Sequence, residues 1–146
     1  MSTAVDVVDA IDTGLPVPEV DAVSRPFFEA LDRGEFVLQR FPDGRWQHYP
    51  RPPEMYPPDD RPDFAPASGR GTVHTFTVIR QMGVPYFKER LPYVVAIVET
   101  EEGVRLMGSI TDVPVDEVHI GLEVEVYGVR VAEGIAVPFW RRHGGD

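Results

Sequence analysis

Seven of the chain's 15 prolines fall between residues 50 and 66, as Pro50, Pro52, Pro53, Pro57, Pro58, Pro62 and Pro66. A stretch with so few backbone N–H donors and so many fixed φ angles can be neither an α-helix nor the interior of a sheet. It predicts an extended connector, and any core must be built from the residues on either side. At 146 residues the chain is long enough for one core and too short for two, so the expectation is one domain with appendages.

C-terminal to the connector the pattern is β. After Ser68-Gly69-Arg70-Gly71, Val73, Thr75, Thr77 and Ile79 alternate with His74, Phe76, Val78 and Arg80, which predicts a long first strand. Pro92 to Thr100 is a nearly continuous apolar run that ends at Glu101-Glu102-Gly103, and Val104 to Ile110 returns as its hairpin partner. One helical turn within Val113 to Val118 leads to Gly121–Val129, where Leu122, Val124 and Val126 alternate with Glu123, Glu125 and Tyr127, a strand with one wet face. Ile135 to Trp140 closes the series. Five strands with a short turn or helix between the third and fourth predict an OB-fold barrel over residues 67–146.

N-terminal to the connector, residues 24–49 read as a helix and a ribbon. Ser24 stands at an N-cap position, Pro26 suits a first turn, Phe27, Phe28 and Leu31 share a face, and Gly34 ends the pattern. Glu35–Phe41 and Arg45–Tyr49 form a hairpin closed by Pro42-Asp43-Gly44. Together with the connector they make a 24–66 unit. Residues 1–23 carry Asp6, Asp9, Asp12, Glu19 and Asp21 with no basic residue, and Gly14, Pro16 and Pro18 interrupt any regular pattern; this is an acidic arm, and both a mobile tail and a docked segment stay open.

Charge weighs against one use of such a barrel. With 24 acidic and 14 basic side chains the net charge is −10, and a polyanion gains no counterion release on that surface, so nucleic acid is a poor partner. No apolar run approaches the ~20 residues of a membrane span, and the opening residues are acidic where a signal peptide would be basic, so a soluble cytoplasmic chain is expected. There is no cysteine, hence no disulfide and no thiolate chemistry. His48, His74, His119 and His143 lack metal-binding spacing, and neither Ser68 nor Ser109 sits in a nucleophile motif. Gly69-Arg70-Gly71 precedes a strand and reads as a structural turn. The Gln81–Arg90 loop, with Tyr86, Phe87, Lys88 and Arg90, combines an apolar tip with cations and is the segment best suited to touch a partner enzyme or a phosphate-bearing acyl cofactor.

Leu38-Gln39-Arg40, Pro66-Ala67-Ser68-Gly69-Arg70-Gly71-Thr72-Val73 with Phe76-Thr77-Val78, Pro92-Tyr93-Val94-Val95-Ala96 and Ile120-Gly121-Leu122-Glu123-Val124-Glu125-Val126 resemble recurrent segments of the acyl-CoA-associated OB-fold family long called domain of unknown function 35. The resemblance implies a mainly β architecture: an N-terminal helix, a rubredoxin-like zinc ribbon and a C-terminal five-stranded OB barrel. Where the family carries two C-x-x-C knuckles, this sequence has Phe41 and Gly44, then Met55 and Pro58, so the ribbon is degenerate and no metal is expected. Packing by Phe41, Trp46, Tyr49, Met55 and Tyr56 is expected to replace zinc. The resemblance also implies an accessory, non-catalytic subunit of a thiolase-like, lipid-transfer-protein-type enzyme. The complex would act in acyl transfer, condensation or retro-aldol cleavage, with two copies of each chain and a CoA thioester as its substrate. Phe27, Phe28, Trp46, Tyr49, Tyr86 and Phe87 are the expected partner contacts, and Arg70, Lys88 and Arg90 the candidates for CoA phosphates. A free-standing barrel that binds acyl-CoA, or less favoured single-stranded nucleic acid, is the alternative.

Overall fold

A computed structural model describes residues 4–144. The arm contributes β1 (Val7–Asp9), followed by α1 (Arg25–Asp32), the ribbon strands β2 (Val37–Arg40), β3 (Trp46–Gln47) and β4 (Asp63–Pro66), and then β5 (Arg70–Ile79). A short helix α2 (Pro85–Lys88) precedes β6 (Tyr93–Thr100), β7 (Arg105–Thr111), β8 (Glu123–Ala132) and β9 (Ile135–Arg142).

β5 to β9 are the five strands expected from the apolar periodicity, and a single 3-10 turn, Val115–Glu117, lies between the third and the fourth. β5 pairs with β6, β6 with β7, β7 in parallel with β9, β9 with β8, and β8 back with β5, which closes the barrel and leaves only partial edges. Its interior holds Val73, Val94, Ala96, Val98, Leu106, Ile110, Val124, Val126 and Trp140. Alternation places their sequence neighbours on the outside.

That alternation breaks in β5, as the β8–β9 register does between Arg130 and Ala132. Between Val73 and Thr75 the β5–β6 register shifts, so His74 is a bulge. Val73 points inward below it, while Phe76 and Val78, of the opposite parity, pack against the same core above it. One extra residue turns the second half of the strand over. Gly71 is also constrained, because a Cβ there would stand 2.5 Å from the Glu99 carbonyl oxygen across the β5–β6 pair. The turn expected at Gly69-Arg70-Gly71 is confined to Gly69, at φ 77°, because Arg70 and Gly71 already pair with Glu125 and Val124 as the first residues of β5.

α1 closes one side of the barrel. Phe27, Ala30 and Leu31 are buried, and the Leu31 carbonyl lies so close to Gly128 that a Cβ there would meet it at 3.1 Å. Ser24 does not cap α1 with its side chain: its hydroxyl donates instead to Asp21 Oδ1 at 2.8 Å. Asp21 Oδ1 also accepts from the Ser24 and Val23 amides, and these bonds, led by that from Ser24, hold its carboxyl below the usual range. The chain turns into the helix on Asp21.

The connector expectation fails at its end. Asp63–Pro66 pairs antiparallel with β2 over Val37–Arg40, so the ribbon is three-stranded, in the order β3-β2-β4. As an edge strand β4 needs N–H donors on one side only, which lets it keep a proline. The hairpin turn forms as expected, with the Gly44 amide donating to the Phe41 carbonyl at 2.9 Å.

The arm, read as an appendage, is docked from Val5 onward. β1 lies parallel to β8, with Val7, Val8 and Asp9 opposite Gly128, Val129 and Arg130, the part of β8 beyond its pairing with β5. Asp6 accepts from Arg141 Nη2 at 2.6 Å. Farther along, Leu15 is buried in a second apolar cluster with Tyr127, Val129, Val131, Ile135 and Phe139 on the barrel's outer surface. The face of β8 expected to be wet is therefore polar only through Glu125 and covered from Tyr127 on.

Candidate functional site

The ribbon occupies the position where a zinc knuckle was implied. Phe41 is buried, and its ring meets that of Tyr56 edge-on at 5.0 Å. The Arg45 guanidinium lies 4.4 Å over Phe41 and bonds both Asp43 and Asp60, tying the hairpin turn to the proline-rich segment. Beneath them Gln39, almost fully buried, donates to the Arg51 carbonyl at 2.8 Å and accepts from the Arg51 amide and from Gln47, which in turn accepts from the Tyr56 hydroxyl. Every polar atom of the Gln39 amide oxygen and nitrogen thus has a partner, so its burial costs little. These residues do not fit a zinc ion: the four knuckle positions offer only the Met55 thioether as a donor. Met55 is 65% exposed and Tyr49 64%, so neither packs the ribbon as expected. Phe41, Tyr56 and the Arg45 bridge do so, and Trp46 packs toward the main core beneath Arg40.

The expected partner contacts separate in the same way. Phe27 is 3% exposed, enclosed by Phe28, Phe36 and His48, and so belongs to the core and not to a contact surface. Phe28 is half-buried between the two apolar clusters. Tyr49 stands out beside a shallow apolar groove of about 300 Å³ whose other walls include Val95, Met107, Val137 and Pro138. Met107 is 55% exposed and was missed in the sequence because it sits singly in a strand pattern. This sheet face is an apolar surface the barrel leaves open beside Tyr49 of the ribbon.

The cation candidates do not form one site. Arg70 opens β5 and pairs opposite Glu125, whereas Lys88 and Arg90 follow its far end. A ten-residue strand rising ~3.3 Å per residue puts them on the order of 30 Å apart. Arg90 is also engaged: its Nη1 donates to the Tyr86 carbonyl at 2.7 Å and its guanidinium lies 3.6 Å over the Tyr86 ring. Lys88 is exposed on the last turn of α2.

Behind α2 the structure forms a cleft of about 530 Å³ that the sequence did not reveal. Tyr86, Phe87, Tyr93 and Phe139 make its aromatic walls, with Phe87 stacked on Tyr93 at 5.0 Å, and the docked arm supplies the opposite side through Val8, Asp9 and Ala10. Within it the Thr111 and Tyr127 hydroxyls lie 2.6 Å apart. Burial pushes the Tyr127 phenol above its ordinary range, so it keeps its proton. The cleft and the apolar groove meet at Phe87, Tyr93, Ser109 and Phe139. Among the described residues no group of three or more His, Asp or Glu side chains is placed to hold a metal ion, and no helix is long and apolar enough to cross a membrane.

A closed five-stranded barrel in this strand order, carrying a three-stranded ribbon and an aromatic cleft, is a protein of the OB-fold class. Residues 65–137 match the family described as the C-terminal OB-fold domain of ChsH2, and the chain belongs to this DUF35 OB-fold family. It is similar to the alpha subunit of 3-oxo-4,17-pregnadiene-20-carboxyl-CoA hydratase of Mycobacterium tuberculosis, 34% identical over 71% of this chain and 35% of that protein. It is 46% identical to a DUF35 domain-containing scaffold protein of Methanothermobacter thermautotrophicus over 45% of this chain and 49% of that one. The matched stretches thus span between about a third and a half of these curated relatives. Among solved structures it is similar to a chain of the Ltp2-ChsH2(DUF35) aldolase, with a TM-score of 0.73, 28% identity, and coverage of 86% of this chain and 98% of that chain.

Proposed function

We propose that this chain is a non-catalytic accessory subunit of a thiolase-like, lipid-transfer-protein-type acyl-CoA enzyme, two copies of each chain making the assembly. The observation that carries the reading is the likeness to the Ltp2-ChsH2(DUF35) aldolase chain, which covers 86% of this chain and 98% of that one. The scaffold-protein and hydratase-subunit relatives support the same role. The contact surface is the apolar sheet face around Tyr49 and Met107, with Val95, Val137 and the Tyr86–Phe87 edge beside it. Covering it removes exposed apolar area from water at about 25 cal/mol per Å². The partner supplies the catalytic groups for acyl transfer, condensation or retro-aldol cleavage of a CoA thioester. Exposure of Lys88 on α2 supports it as the group that meets an approaching phosphate, whereas Arg70 opens β5 at the other end of that strand.

Co-expression with a thiolase-like partner, followed by size-exclusion chromatography with mass determination and assays of each chain and of the mixture, tests the proposal. A complex whose activity needs both chains is the expected result. Two separate peaks, or a partner fully active alone, would overturn it. Saturable acyl-CoA binding by the isolated chain would then favour the free-standing barrel.

A further inference from the structure

The cleft behind α2 joins aromatic walls to an excess of negative charge. Its volume, about 530 Å³, lies within the ~300–1,000 Å³ of small-molecule sites. Phe87 stacks on Tyr93, Tyr86 meets Phe87 edge-on at 5.2 Å, and Tyr127 and Phe139 add rings from β8 and β9. The face of an aromatic ring is negative and attracts a cation. The structure already uses one such face, since the Arg90 guanidinium lies 3.6 Å over Tyr86 while its Nη1 donates to the Tyr86 carbonyl.

Asp9 and Asp112 line the cleft, and among its described lining residues Arg90 is the one cation, so the carboxylates outnumber the guanidinium. Asp9 has a partner, its Oδ1 accepting from the Ile11 amide at 2.9 Å. Asp112 differs: it is exposed directly after β7, at φ 61°, and among the described residues its carboxylate takes part in no hydrogen bond or ion pair. Burial, and with it the Asp112 charge, holds the Tyr127 phenol above its ordinary range, so this carboxylate lies within electrostatic reach of the hydroxyl pair. The pair itself adds acceptors. Whichever of Thr111 and Tyr127 donates in their 2.6 Å bond, and with Thr111 also 3.4 Å from the Trp140 carbonyl, lone pairs remain on both oxygens. An ammonium group carries donors alone and is satisfied by such a set. The net charge of −10 also favours the approach of a cation from solution.

We infer that this cleft binds an organic ammonium ion with an apolar ring body, its charge beside Asp112 and its body against the rings of Tyr86, Phe87 and Tyr93. The cleft is far roomier than an ammonium group alone requires, which is why the cation carries a ring. The site is built within one chain, so the inference does not depend on the thiolase-like partner.

Isothermal titration of the full chain tests it with probes that share an indole ring and differ in the head group. These are tryptamine as the ammonium, tryptophol as the neutral alcohol and indole-3-propionate as the anion. Saturable tryptamine binding at one site per chain is expected, about three- to tenfold tighter than tryptophol, with none for indole-3-propionate. Added salt should weaken tryptamine binding and leave tryptophol unchanged. Asp112→Asn keeps the side-chain size and tolerates the left-handed backbone. It should abolish the preference by weakening tryptamine alone, and its retained tryptophol binding shows that the variant is folded. If the variant does not fold, the head-group preference and salt response of the parent chain decide. No saturable tryptamine binding, equal affinity for the three probes, or an unchanged preference in folded Asp112→Asn would each overturn the inference. So would equally tight binding of N-acetyl-lysinamide, which would assign the site to a lysine side chain of a partner protein. Tryptamine binding without a partner complex would leave this site standing and remove the accessory-subunit reading; a complex without tryptamine binding would do the reverse.

Discussion

His48 should make the protein acid-sensitive in a pH range where carboxylates do not yet titrate. Its ring sits 4.9 Å from Phe27 and 4.3 Å from Tyr49, its Nδ1 is buried without a hydrogen-bond partner, and burial pushes its pKa down from 6.5 to about 4. The unfolded chain takes up a proton near 6.5, which the folded chain refuses until about 4. Stability is therefore whole above the unfolded value and is lost as pH falls from there toward the folded one. Between about pH 7.5 and about pH 5 this linkage amounts to about 2 kcal/mol, of a total on the order of 3 kcal/mol at still lower pH. His48→Phe removes the titration while keeping an aromatic ring between Phe27 and Tyr49. Urea unfolding followed by tryptophan fluorescence, for parent and variant at both pH values, reads the difference directly. The parent should lose about 2 kcal/mol more than His48→Phe over that interval. Equal losses would refute the placement of an uncharged, unpartnered imidazole at this site.

Phe41→Ala should cost about 3 kcal/mol in urea unfolding, because a buried ring that braces both ribbon loops is lost with no metal to replace it; a cost below about 1 kcal/mol would mean that the Arg45 bridges suffice. Gly108→Ala would place a Cβ 2.7 Å from the Trp140 ring, and a loss of about 1–3 kcal/mol with a shifted tryptophan emission is expected. Met107→Asp should leave the melting temperature of the isolated chain nearly unchanged, as surface changes alter stability by about 0.5 kcal/mol or less. The same substitution should prevent the partner complex from forming in size-exclusion chromatography.

The sequence was most legible where periodicity and turn chemistry agree. The β6–β7 hairpin is written in an apolar run, an acidic Gly turn and a returning run, and Pro42-Asp43-Gly44 closes the ribbon where it was expected. The bulge at His74 was not legible, because one residue inserted into an alternating Val/Thr pattern leaves a pattern that still alternates. β4 was hidden by Pro66 and the prolines before it, which veto a central strand but not an edge. The arm's docking depended on an acceptor surface, Gly128–Arg130 and the Tyr127–Phe139 face, that exists only once the barrel has closed. The cleft was invisible for the same reason: its walls come from the arm, α2 and four barrel strands. Of the candidate contacts, Phe27 and Phe28 looked alike as neighbours, and only the helix's seat on Gly128 distinguishes the buried one from the half-buried one.

The strip of β8 that β1 covers has a colloidal consequence as well as a structural one. A barrel avoids open strand edges, yet β8 leaves β5 after Glu125 and, though paired with β9 on its other side, would present one open edge of Gly128–Arg130 to any passing strand. β1 occupies that edge in parallel, and its Asp9 adds negative charge where a second molecule would have to approach. The acidic arm thus covers a strand edge that the barrel alone leaves open. A chain shortened past Ala10 should keep the closed five-strand barrel yet clump at concentrations the full chain tolerates, with added salt worsening the clumping as it screens the remaining repulsion.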